Sequence, residues 1–82
     1  MKLHRQERLM ERLLKFRLKD YNFSLIKVEC YDRFEGDNYM CRVEVFKGGN
    51  SIKNRIMKYE SELNGTFVVE FENRLELQFS MN

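Results

Sequence analysis

The chain reads as an α+β domain of two layers, ordered α-β-β-α-β-β, with both helices packed on one face of a four-stranded antiparallel sheet. Three observations lead there. The opening stretch concentrates leucines on one side of a helical wheel. The middle holds two runs that match each other in both apolarity and charge at a single antiparallel register. The end, Thr66 to Met81, places Phe67, Val69, Phe71, Leu75, Leu77, Phe79 and Met81 on alternate positions, the two-residue period of half-buried strands.

From Leu3 to Leu18 the apolar residues Leu3, Leu9, Met10, Leu13, Leu14 and Phe16 gather on one side at 100° per residue, the pattern of an amphipathic helix. On the far side Arg5, Arg8, Arg12, Lys15 and Lys19 recur at spacings of three, four, three and four, so five cations line one face. Glu7 and Glu11 flank this stripe and offset part of it. Asp20, Asn22 and Ser24 end the pattern.

Two strands follow, Phe23 to Asp32 and Tyr39 to Phe46. A turn at Glu35-Gly36 sets Cys30 opposite Cys41, Val28 opposite Val43 and Ile26 opposite Val45, while Lys27 meets Glu44 and Glu29 meets Arg42. A slip of one residue destroys both matches together, so the register is well determined.

After Lys47-Gly48-Gly49-Asn50, Ile52, Ile56, Tyr59 and Leu63 recur at spacings of four, three and four. That spacing predicts a second helix, with Asn50 or Ser51 as N-cap and Asn64-Gly65 as its stop. The charges run against it: Lys53 and Arg55 lie near its start and Glu60 and Glu62 near its end, the reverse of what a helix dipole favours. The alternative is a strand, which gives an N-terminal helix on a five-stranded meander or small barrel. The last run is expected to fold back around Glu72-Asn73-Arg74 as a hairpin, pairing Phe71 with Leu75, Val69 with Leu77 and Phe67 with Phe79.

Eighty-two residues with no linker or low-complexity segment make a single domain, residues 1–82, that buries roughly 60% of its unfolded surface. No apolar run approaches the ~20 residues of a membrane span, and the leucines of the N-terminal stretch are interrupted by charges, so neither a signal peptide nor a membrane partner is expected. Cys30 and Cys41 are too few for a disulfide scaffold and are expected as reduced thiols in a cytoplasmic protein. Net charge is +2, unevenly distributed: residues 1–20 carry seven cations against three acids, the remainder eight against ten.

Catalytic readings find little support. His4 is the sole histidine and has no nucleophile in a useful spacing, Cys30 and Cys41 lack the further ligands of a metal site, and Gly48-Gly49 fits no phosphate-binding fingerprint. No enzyme activity, cofactor or metal is expected. Glu70, Glu72 and Glu76 project from the outer face of the expected C-terminal hairpin, which reads as a solvated face or, alternatively, as a secondary, acidic docking surface.

The basic face of Arg5, Arg8, Arg12, Lys15 and Lys19 is either a solvated helix face or the primary candidate for a partner. It suits an acidic protein surface, or alternatively phosphates of a nucleic acid, although no aromatic residue interleaves the stripe to stack on bases. A short chain with no catalytic set, oppositely charged faces and AT-rich residue usage resembles small phage or mobile-element proteins that block host machinery. The resulting expectation is a non-enzymatic inhibitor that binds a nucleic-acid-handling protein, with a direct nucleic-acid-binding module as the alternative. An unpaired edge strand, or the exposed parts of Leu3, Leu9 and Phe16, also allows a homodimer.

Overall fold

The computed structural model describes residues 2–32, 38–49 and 53–80. Helix α1 spans Lys2–Arg17, and a 3-10 turn at Lys19–Tyr21 leads to strands β1 (Leu25–Tyr31), β2 (Met40–Gly48) and β3 (Lys53–Glu62). Helix α2, Phe67–Ser80, closes the chain. The class is α+β, as expected. The order is α-β-β-β-α rather than α-β-β-α-β-β, and the sheet has three antiparallel strands in the order β1-β2-β3. The Glu35-Gly36 turn, the caps Asn50 and Ser51, Ile52 and Met81 lie outside the described residues.

The expected β1–β2 register is the one observed, from Ile26 opposite Val45 to Cys30 opposite Cys41, with Lys27 facing Glu44 and Glu29 facing Arg42. Two corrections follow, both in the second half. The segment expected as a helix is β3, which pairs Val43 with Tyr59 and Val45 with Met57. Beyond Val45 the register shifts and Phe46 meets Arg55, so Ile56 is the extra residue of a β-bulge. That bulge is why Ile56 and Tyr59 share a helix-like spacing of three within a strand. The reversed charge order, unfavourable in a helix, has no such cost here.

The second correction is the C-terminal run, which is helix α2 and not a hairpin. Within its alternating apolar positions lies the series Phe67, Phe71, Leu75 and Phe79, spaced by four and stacked along one helical face. The first three are at most 1% exposed, whereas Val69 and Leu77 are 57% and 61% exposed on the other side. Glu72-Asn73-Arg74 continues the helix. Asn64-Gly65 serves neither as helix stop nor as hairpin turn. Asn64 Oδ1 accepts from the Thr66 N–H (3.0 Å) and hydroxyl (2.8 Å), an Asx turn that starts α2 directly after β3.

One face of the sheet, Ile26, Cys30, Cys41, Val43, Val45 and Tyr59, packs with Leu14 and Leu18 of α1 and Phe67, Phe71 and Leu75 of α2 into a single core. Each such large side chain removed from water contributes roughly 1.5–3 kcal/mol. The helices also tie to the edge strands beneath them. Glu7 Oε2 accepts the backbone N–H of Cys30 on β1 (2.7 Å), and Gln78 Nε2 donates to the Ile56 carbonyl at the β3 bulge (2.6 Å). Because both helices run antiparallel to those strands, they are parallel to each other, and Arg17 bridges to Glu72 at 2.6 Å.

At the end where both helices finish, Tyr21, Phe23 and Phe79 form a ring cluster with centroids 5.3 to 6.1 Å apart. Lys47 lies over Phe23 and Phe79, and Lys15 and Arg17 occupy the last turn of α1, so cations gather where two helix dipoles present their negative ends. Asn22, in the left-handed region at φ 56°, turns the chain from α1 into β1.

Candidate functional site

Helix α1 is held to the sheet by Leu14, Leu18 and the Glu7–Cys30 bond, with Leu3 and Met10 partly buried beside them. This fixes which side of the helix is left outward. Arg5, Arg8, Arg12, Lys15 and Lys19 are all exposed, as the stripe requires. Lys15 Nζ pairs with Glu11 Oε1 at 2.9 Å, and Lys19 Nζ lies 5.2 Å from the centroid of the Phe16 ring. Among the described residues no ion pair neutralises Arg5, Arg8 or Arg12.

The helix is not simply apolar within and basic without. Leu9, Leu13 and Phe16, expected on the buried side, are 50%, 42% and 71% exposed. Their spacings of four and three place them in one line along the outer surface, directly beside the cations. The apolar arc of α1 is too broad for the contact it makes: Leu14 and Leu18 suffice to cover β1, and the remainder is left in water. No aromatic interleaves the stripe, but the exposed Phe16 ring flanks it. The signal was present in the sequence as an apolar arc wider than a helix on a single strand can bury.

The acidic trio is placed differently from expectation. Glu70, Glu72 and Glu76 lie on α2 rather than on a sheet face, and they do not form one surface. Glu70 turns toward β3 and accepts the Tyr59 hydroxyl at 3.0 Å, while Glu72 turns toward α1 and its bridge with Arg17. Glu76 is exposed, one turn beyond Glu72. An open depression of about 340 Å³ lies where Glu70, Asn73, Arg74 and Leu77 meet Tyr59. Arg74 is stacked 5.9 Å from the Tyr59 ring centroid there.

The outer sheet face is charged and internally compensated. Arg42 bonds Glu29 at 2.7 Å, Arg55 bonds Glu44 at 3.0 Å, and the Tyr31 hydroxyl donates to Glu60. The bond from Arg55 chiefly holds the Glu44 carboxyl below its ordinary range. Arg42 Nε is buried without a hydrogen bond, its nearest acid being Glu44 at 3.7 Å.

Cys30 and Cys41 are free, with sulfurs 3.7 Å apart inside the core. Burial pushes both thiols up, and Glu7 adds to the effect, so neither is primed as a nucleophile. His4 lies on the solvent side of α1 against Glu7 at 3.3 Å. Among the described residues no group of three or more His, Cys, Asp or Glu is placed to hold a metal ion, and no helix is long and apolar enough to cross a membrane. Compared with protein-family models, curated proteins and solved structures, the chain matches none.

Proposed function

We propose that this chain is a non-enzymatic interaction protein that binds and blocks a partner protein through the outer side of α1. The observation that carries the reading is the line of Leu9, Leu13 and Phe16 lying in water beside Arg5, Arg8, Arg12, Lys15 and Lys19, on a helix whose opposite side already serves the core. Apolar anchors at positions i, i+4 and i+7 are how an amphipathic helix seats in a hydrophobic groove, and flanking cations select an acidic rim around it. The effect is steric and electrostatic: the helix occupies a surface its partner needs. The small, charge-divided style of the chain supports a partner that handles nucleic acid, in the manner of phage or mobile-element inhibitors.

The test is a triple charge reversal, Arg8→Glu, Arg12→Glu and Lys15→Glu, beside a Leu13→Glu variant. Partner captured from host lysate by the parent chain and identified by mass spectrometry is expected to bind both variants at least about tenfold more weakly. Their circular dichroism should stay unchanged. A folded triple variant with full affinity removes α1 from the account.

Direct nucleic-acid binding is the second reading, favoured by the exposed Phe16 ring beside Lys19, on a face where no described ion pair neutralises Arg5, Arg8 or Arg12. It requires a gel shift with random oligonucleotides that weakens steeply with salt. The absence of a shift at low ionic strength ends it.

A further inference from the structure

We propose that two copies of this chain form a two-fold symmetric dimer by pairing their β3 strands edge to edge and laying their α2 helices side by side above the joint. The backbone groups of β3 point outward at its free edge. Cys30 donates its N–H to Glu7, on the side of β1 away from β2, so Cys30 and Cys41 exchange no backbone bonds across the β1–β2 ladder. Cys41 therefore turns its N–H and C=O toward β3, where Ser61 receives them, and Tyr59 follows the same phase. The Leu63 N–H bonded to the Tyr39 carbonyl at 2.7 Å continues it. The residues between, Lys58 and Glu60, direct both backbone groups to the outer edge, and no described strand pairs there.

Charge favours the same edge. With the two-fold axis at Tyr59, antiparallel pairing sets Lys58 of each copy opposite Glu60 of the other, twice. Moving the axis one residue either way places Glu60 against Glu60 or Lys58 against Lys58, which is unfavourable. Centred on Tyr59, the strand meets its copy with two opposite-charge pairs and no like-charge pair. The ladder ends at the bulge, where Gln78 already occupies the Ile56 carbonyl.

The helix layer fits the same joint. Glu72 marks the flank of α2 that faces α1, and the opposite flank carries Glu70, Arg74 and the 61% exposed Leu77. These line the open depression beside Tyr59. The Tyr59 ring lies on this flank, tilted against Phe67 and Phe71, and the second copy's helix would seat beside α2 there. Two-fold symmetry runs the helices antiparallel, directs Leu77 of each copy into the depression of the other, and brings Glu70 of one copy toward Arg74 of the other. A second copy is the occupant that satisfies strand, charge and helix flank together. This surface is separate from the outer side of α1.

Sedimentation equilibrium of the full chain across a range of micromolar concentrations tests the proposal. The expected species has twice the 10.1 kDa chain mass. Leu77→Glu, on an exposed side chain, and Lys58→Pro, which removes an outward N–H, should each raise the dimer dissociation constant at least about tenfold. Lys58→Glu and Glu60→Lys should each weaken the dimer, and together they should restore it. Melting followed by circular dichroism checks that each variant folds; Leu77→Glu decides alone if a strand variant does not. A monomer at every concentration, or a dimer that a folded Leu77→Glu leaves intact, overturns the proposal.

Discussion

Cys30 and Cys41 show how a buried pair can be read from sequence together with the rest of its ladder. Their opposition followed from charges elsewhere on the same two strands: only one register satisfies Lys27 with Glu44 and Glu29 with Arg42 at once. The exposure of Leu9, Leu13 and Phe16 was legible only as an apolar arc wider than one strand can cover; which part of that arc stays in water depends on how wide a neighbour α1 meets. The thiols carry a prediction of their own. In the unfolded chain they ionise near the ordinary value of 9.0, whereas burial raises both above it in the fold. The stabilisation is thus complete below pH 9.0 and is lost as pH rises above that value, because only the unfolded chain then gives up its protons. The melting temperature should fall between about pH 8 and about pH 10, and a Cys30→Ala/Cys41→Ala variant should show a shallower fall. Iodoacetamide at neutral pH should label both cysteines in denaturant and neither in the native protein, as read by mass spectrometry.

At the scale of elements, the first half of the chain was legible and the second was not, for a reason specific to its residues. A period of two and a period of four coincide at every fourth position, so Phe67, Phe71, Leu75 and Phe79 satisfy both a strand and a helix. The tie was broken by Val69 and Leu77, which a strand would bury and α2 leaves in water. Conversely, the β3 bulge at Ile56 gives a strand the spacing of a helix, and the order of Lys53, Arg55, Glu60 and Glu62 was the signal that pointed correctly. The acidic docking face fell with the hairpin, since on a helix Glu70 and Glu72 point to opposite flanks. These assignments separate two substitutions that a hairpin would make equivalent. Phe71→Ala should destabilise by about 3–5 kcal/mol, the range for a fully buried Phe, while Val69→Ala should change stability by no more than about 0.5 kcal/mol. Urea titration followed by circular dichroism compares them. Equal losses would place both side chains on one buried face and return the segment to a hairpin.

At the scale of the molecule, each helix lies chiefly over a different edge strand, and the core closes only when both are present. The inner sheet face meets Leu14 and Leu18 over β1, but Tyr59 on β3 finds its ring partners in Phe67 and Phe71. Of the seven largest fully buried side chains three, Phe67, Phe71 and Leu75, come from α2. A chain of this size has little surplus: it buries only roughly 60% of its unfolded surface, and removing three such groups takes away roughly 5–9 kcal/mol of burial against a typical total stability of about 5–15 kcal/mol. The Glu72 partner of Arg17 and the Gln78 cap on the β3 bulge go with the same segment. A fragment ending at Leu63 should therefore retain every strand in its sequence yet lose cooperative folding. Its thermal melt should be broad and its amide proton spectrum poorly dispersed, whereas the full chain should melt in one transition. A sharp melt from that fragment would mean that α1 and three strands close a core unaided, and that α2 is an addition to the fold rather than half of its cover.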